Sequence, residues 1–147
     1  MAALAVAVVT GLAWQRTNGR IRGISGSPRS GTADAQTADG PAADAGPMLT
    51  SGELGLPLGQ RATLVQFSTA FCAPCRATRR ILAEVAGMVD GVAHVEIDAE
   101  SHLDLVRRLD IRRTPTVLVV GPDGRVAKRA SGQPRKADVI AAVGELS

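Results

Sequence analysis

Apolar and polar residues follow two different periods in the second half of the chain. Ala62–Ser68 (ATLVQFS) is apolar at nearly every position, which is typical of a central strand buried on both faces. Cys75–Val89 then carries apolar residues at helical spacing. Val92–Asp98 (VAHVEID) is the next strand-like run. These runs predict a parallel strand–helix–strand unit.

A second helix is predicted directly after that unit. Ser101 stands where a side chain can cap the start of a helix, and the pattern predicts burial of Leu103, Val106 and Leu109. The helix therefore leads back to the sheet for another strand.

The C-terminal part predicts a hairpin and a last helix. Thr116–Val120 (TVLVV) is a buried strand, and residues 125–130 form a more polar edge strand after a Pro-Asp-Gly turn signal. Pro134 stands where a helix can start. Together the elements predict an α/β fold with a central mixed four-stranded sheet flanked by helices.

The N-terminal third is organised differently. Residues 1–15 contain an almost wholly apolar run from Ala2 to Trp14, but this run is shorter than the roughly 20 residues of a spanning helix. Arginines follow it, so the positive-inside rule favours an N-terminal cell-membrane anchor with the domain facing the cytoplasm. A signal-like segment before an extracytoplasmic domain and an incidental apolar tail are the alternatives.

Residues 16–47 are rich in Gly, Ser, Ala, Thr, Asp and Pro and show no apolar periodicity. This composition predicts a disordered linker. The folded domain is therefore expected in residues 48–147.

Composition narrows the function classes. The chain has 147 residues, 45% of them hydrophobic but only 2% aromatic, and a formal net charge of +3. Binding to nucleic acid is not expected, because a basic surface with so few aromatic residues offers little platform for base stacking. The mild positive charge suits an acidic partner or an anionic membrane surface.

The candidate catalytic residues are Cys72 and Cys75, and only Ala73 and Pro74 lie between them. Such a short loop adds little stability as a disulfide, so a chemical role is expected. The pair lies where a strand ends and a helix begins, and the unpaired N–H groups there stabilise a thiolate. Cys72 is expected to be the nucleophile and Cys75 the resolving thiol, with Arg76 as a nearby positive charge.

Zinc binding and two inert structural cysteines are the weaker alternatives. A zinc site would need further ligands, and His94 and His102 lie on different elements.

Two segments resemble the thioredoxin family. Residues 67–76 (FSTAFCAPCR) are similar to its active-site segment, and residues 113–117 (RTPTV) to its cis-proline segment. Gly132 falls where the family has a glycine in the substrate groove. The resemblance covers residues 62–147 and implies a thioredoxin-like fold with a redox-active disulfide. It also implies a cis bond before Pro115 and a substrate-binding set made of Phe71, Ala73, Pro74, Thr114, Pro115 and Gly132.

The chain departs from the family at several supporting positions. Phe71 replaces the usual Trp and Ala73 the usual Gly. Gln66 stands where the family has a buried Asp, and an amide cannot act as a base. His94 stands in place of a Lys, which suggests two interpretations: a substitute proton relay or a polar residue on a strand face.

The resemblance implies a thiol–disulfide oxidoreductase that reduces protein disulfides, with no cofactor and as a monomer. Expected partners are disulfide-containing protein substrates, an electron-donating reductase or thiol, and the membrane through the N-terminus. The alternatives are an extracytoplasmic oxidase or isomerase, a cytochrome-maturation-type reductant, and a non-catalytic peptide-binding adaptor. The remaining arginines, on the predicted helices and before Pro115, are expected to form a solvated surface that faces partners: Arg79, Arg80, Arg107, Arg108, Arg112 and Arg113.

Overall fold

A computed structural model describes Thr10, Gly11, Ala13, residues 19–24 and residues 46–146. Its elements, in chain order, are β1 (Ile21–Gly23), α1 (Ser51–Leu54), β2 (Ala62–Ser68), α2 (Ala73–Met88), β3 (Val92–Asp98), α3 (Leu103–Arg108), β4 (Thr116–Val120), β5 (Val126–Ser131) and α4 (Lys136–Gly144). Within this described part, no helix combines the length and apolar character needed to cross a membrane.

The strands form one mixed sheet in the order β1-β5-β4-β2-β3. β2 pairs in parallel with β3 and antiparallel with β4, and β4 continues into β5 as an antiparallel hairpin. The predicted strand–helix–strand unit, the hairpin and the last helix are therefore confirmed, with α2 beginning at Ala73 instead of Cys75.

The sheet has a fifth strand that the sequence analysis placed in the linker. β1 pairs antiparallel with β5, with Ile21 opposite Ala130 and Gly23 opposite Lys128. A strand of three residues held by backbone pairing carries no side-chain periodicity, so the pattern could not reveal it. The linker prediction is wrong for these residues, while residues 25–45 and most of residues 1–18 lie outside the described part.

The central position of β2 explains its sequence. Every residue of β2 is buried, because the strand lies between β3 and β4 and both of its faces are covered. On one face Val65 and Phe67 pack with residues of α1 and α3. On the other face Leu64 packs with Leu82 and Val85 of α2. Two apolar layers thus hold the C-terminal end of β2, where α2 begins, in a fixed position.

The start of α3 differs from the prediction. The residue at the helix cap is His102, and no side chain caps the helix. The Ser101 hydroxyl instead donates to the Asp98 carboxylate at 2.5 Å, because that strand-end acid lies within reach of the turn. Leu103 is 52% exposed, and Leu105 joins Leu109 in the core in its place.

The segment before β2 contains only a short helix. α1 is closed by a capping box in which Thr50 and Glu53 bond to each other's backbone N–H groups. The Glu53 carboxylate also pairs with Arg108 of α3 at 2.5 Å. These contacts fasten α1 against the α3 side of the sheet.

Candidate active site

The two cysteines lie at the N-terminus of α2, four residues after β2 ends. Cys72 is the N-cap residue, and its Sγ accepts a hydrogen bond from the backbone N–H of Cys75 at 3.2 Å. The two sulfurs are joined in a disulfide. When Cys72 is a thiolate, the same N–H group and the positive end of the helix stabilise its charge. Pro74 lies in the first turn, where its missing N–H leaves no carbonyl without a donor.

The two sulfurs differ in their access to solvent. Cys75 is 1% exposed, whereas Cys72 is partly exposed. Phe71, Ala73 and Pro74 surround the pair with exposed side chains. Cys72 is therefore the sulfur that a disulfide can reach from solvent, and Cys75 lies behind it.

The segment before β4 lies against the loop that leads to the cysteines. The peptide bond between Thr114 and Pro115 is cis. The Thr114 hydroxyl lies 3.2 Å from that of Thr69, in the loop that leads to Cys72. The Pro115 carbonyl accepts a hydrogen bond from the Gly132 N–H at 2.7 Å. Thr114, Pro115 and Gly132 are thus brought together next to the active-site loop, as the resemblance implied.

Gln66 lies beneath the cysteines and is 0% exposed. Its Nε2 donates to the Cys75 carbonyl at 2.9 Å and to the Ser68 hydroxyl oxygen at 3.0 Å. Its Oε1 is buried and has no hydrogen-bond partner among the described residues. Gln66 therefore holds the backbone of the resolving cysteine in place, but it cannot take up a proton.

His94 lies on β3, one strand away from Leu64, which is its register partner. Burial lowers the pKa of His94, against the attraction of the nearby Glu96 carboxylate, so the ring is neutral at pH 7. Its Nε2 is buried and has no hydrogen-bond partner among the residues that the structure describes, and their contacts give it no hydrogen-bonded route to either sulfur. The relay interpretation of His94 therefore finds no geometric support here.

Residues 56–145 are similar in sequence to known proteins. The thioredoxin family model matches residues 56–145. The chain belongs to the thioredoxin family. It is 30% identical over 80 residues to a thioredoxin of Staphylococcus saprophyticus, covering 52% of this chain and 77% of that protein. It is 26% identical over 72 residues to thioredoxin H5 of rice, Oryza sativa, covering 49% of this chain and only 53% of that protein.

Solved structures give the same architecture. Chloroplastic thioredoxin z, 28% identical, has a TM-score of 0.53 and covers 59% of this chain and 79% of its own. A thioredoxin variant from Halobacterium salinarum, 17% identical, has a TM-score of 0.54 over 59% of this chain and 75% of its own, and shows the fold alone. The chain is thus similar to thioredoxins across its C-terminal domain.

This thioredoxin domain has a hydrogen-bonded chain that the sequence analysis did not predict. Gln66 bonds to Ser68, and the Ser68 side chain bonds to the Glu96 carboxylate. Arg79 binds Glu96 through two contacts of 2.6 Å, which is the main reason why the pKa of Glu96 is lowered. The register places Gln66 opposite Glu96, but pattern analysis alone could not know that pairing.

The remaining supporting residue of the thioredoxin site is Arg76, which is exposed next to Cys75. A pocket of about 370 Å³ adjoins the active-site loop between Ala70, Arg79 and Asp98. Among the described residues, no group of three or more His, Cys, Asp or Glu side chains is placed to hold a metal ion. The chemistry that this arrangement supports is exchange between thiols and disulfides at Cys72.

Proposed function

We propose that this chain is a thiol–disulfide oxidoreductase that reduces disulfides in proteins. The observation that carries the proposal is the disulfide at the N-terminus of α2, with Cys72 accessible, Cys75 buried, and Thr114 in contact with Thr69 of the loop that leads to Cys72. This difference in exposure supports Cys72 as the sulfur that attacks the substrate disulfide and Cys75 as the sulfur that releases the substrate.

The reaction consumes the dithiol form in two exchanges. The Cys72 thiolate attacks one sulfur of the substrate disulfide, the substrate S–S bond breaks, and a substrate thiolate leaves. Cys75 then loses its proton and attacks Cys72, which breaks the mixed disulfide and frees the second substrate thiol. Two electrons pass to the substrate, and the protein holds the Cys72–Cys75 disulfide.

The Cys75 proton needs an acceptor. Gln66 cannot serve, and the pKa of Glu96 is lowered because Arg79 binds its carboxylate. We therefore assign the proton to the substrate thiolate that leaves in the first exchange. A separate dithiol, low-molecular-weight thiol or reductase then restores the reduced protein.

Substrate binding is assigned to the segment before β4. An extended substrate chain pairs with the backbone at Thr114–Pro115 as an added strand, and Gly132 leaves room for it. Phe71, Ala73 and Pro74 supply the apolar surface around the attacked disulfide. Binding is thus dominated by backbone contacts, which suits several substrate sequences.

We also propose that residues 1–15 attach the chain to the cell membrane, with the domain on the cytoplasmic side. The support is the apolar N-terminal run followed by Arg16, Arg20 and Arg22. In inverted membrane vesicles, added protease is expected to digest the domain. Protection of the domain there would place it on the other side and contradict the proposal.

Trapping of the mixed disulfide tests the redox function. Full-length Cys75→Ser is expected to accumulate a covalent adduct with a disulfide-containing protein, because Cys72 attacks but cannot be released. Cys72→Ser is the matched control and is expected to form no adduct and to lose all turnover. An adaptor would retain its partner in both variants without a covalent bond, which would contradict the proposal.

A further inference from the structure

Arginines gather at one edge of the sheet, beside Thr114 and Pro115, which we call the substrate segment. We call this surface the arginine edge; it consists of Arg20, Arg22, Arg112, Arg113 and Arg129. The strand register places Arg22 of β1 directly opposite Arg129 of β5. Like charges in directly opposite positions destabilise a strand pair, so this placement is not explained by the stability of the sheet.

Backbone contacts fix the inner arginines of this edge. Arg129 donates to the carbonyl of Leu109 and, at 3.2 Å, to that of Asp110. The Asp110 carboxylate pairs with Arg112 at 3.0 Å. Within the described part of the chain, the single charge of the Asp110 carboxylate offsets one of the guanidinium charges around it. The edge is therefore a preorganised cationic surface.

The arginine edge begins at the substrate segment. Arg113 precedes Thr114, and its guanidinium donates to the Ser131 carbonyl at 2.8 Å. The same carbonyl accepts the Gly19 N–H at 2.9 Å, which brings the start of the N-terminal strand to this point. The next residue, Gly132, bonds to Pro115. A chain bound at Thr114–Pro115 thus passes next to Arg113, and Arg20 follows the glycine that bonds to Ser131.

We propose that the arginine edge binds an acidic segment of the substrate protein, close to the disulfide that is reduced. The inference rests on the proposed function and names its substrate class. Carboxylates match the planar fork of a guanidinium, and guanidinium groups fixed by carbonyls lose little freedom on binding. Complementary charge also speeds encounter and separates substrates that the backbone contacts alone treat alike.

Two disulfide peptides test this substrate class with the full-length protein. They are identical except that the residues flanking the disulfide are glutamates in one and lysines in the other. The kcat/KM for the glutamate peptide is expected to exceed that for the lysine peptide by about three- to tenfold at low salt, and the ratio is expected to fall as salt screens the charges. Equal values for both peptides would overturn the proposal.

A pair of variants distinguishes a local effect of the arginine edge on this ratio from an effect of the protein's net charge. Arg22→Glu is expected to reduce the ratio at least twofold, and a carboxylate facing Arg129 keeps the strand pair intact. Arg125→Glu makes the same charge change at the opposite end of β5, where Arg125 pairs with Asp123, and is expected to keep the ratio. Equal losses in both variants would contradict a local site.

Two further measurements distinguish the other outcomes. If neither peptide is reduced, the proposed redox function fails. Binding of the same peptides with serines in place of cysteines then still tests the arginine edge: tighter binding of the glutamate peptide supports the proposal, and equal binding overturns it.

Vesicles of anionic and of neutral phospholipid test whether the arginine edge binds an anionic membrane surface instead of a protein. If Arg22→Glu weakens binding to anionic vesicles only and leaves the peptide ratio unchanged, the edge is a lipid contact and the proposal is overturned.

Discussion

At the scale of single residues, the two cysteines differ in their exposure to solvent and in their contacts. Cys72 is accessible and caps α2, while Cys75 is buried and held from below by Gln66. The roles proposed for both cysteines follow from their place between a strand and a helix, which the sequence alone predicts. The contacts of Gln66 do not, because they depend on which carbonyl and hydroxyl the folded sheet brings to its amide.

Replacement of Gln66 by Leu tests its structural role. The variant leaves the buried Cys75 carbonyl and Ser68 hydroxyl without the amide donor, so we expect a loss of about 1–3 kcal/mol in the free energy of unfolding. Urea denaturation of the oxidised protein measures it. Gln60→Leu, at an exposed glutamine, is the matched control and should change stability by less than about 0.5 kcal/mol. Equal small effects would show that the amide contacts contribute nothing.

The burial of His94 predicts a pH dependence of stability. Because the pKa of His94 is lowered in the folded state, its contribution is complete above the unfolded pKa of about 6.5 and is lost as the pH falls below it. Unfolding free energies measured from pH 7.5 to pH 5 should therefore decline less in His94→Gln than in the wild type. Identical slopes in His94→Gln and the wild type would contradict the assignment.

At the scale of elements, burial decides what a sequence pattern can reveal. β2 and β4 are buried along their whole length, so continuous apolar runs predict them. α3 is short, and Asp98 draws the Ser101 side chain away from the start of the helix. The pattern therefore predicts burial of Leu103, whereas the buried leucine is Leu105, two positions further on. β1 is held by its backbone and by close approach at Gly19, neither of which leaves an apolar pattern.

The attachment of β1 is expected to depend on Gly19. This residue has φ of +79°, and a Cβ there would lie 1.9 Å from the Gln133 carbonyl oxygen. Gly19→Ala should therefore release β1, and hydrogen exchange of the β5 amides that face β1 should become at least tenfold faster. Gly23→Ala, in the same strand but with open space around the added methyl group, should keep the wild-type exchange. Unchanged exchange in Gly19→Ala would show that β1 docks without this close approach.

At the scale of the whole molecule, one domain brings the redox pair, the substrate segment and the arginine edge to a common side. The loop after β2, the segment before β4 and the end of β5 meet there because β2, β4 and β5 are neighbours in the sheet. The family resemblance predicts the first two of these features from sequence. The arginine edge needed the structure, since residues 20–22 and 112–129 become neighbours only through the pairing of β1 with β5.

Equilibration of the full-length protein with defined thiol–disulfide buffers tests the central claim most directly. The fraction of the Cys72–Cys75 disulfide, read by thiol alkylation and mass spectrometry, should follow a reversible two-electron transition near about −270 mV, the value typical of a reducing thioredoxin. A midpoint above about −200 mV would contradict the reducing role and favour an oxidase or isomerase. A pair that never exchanges with the buffer would contradict the redox function itself.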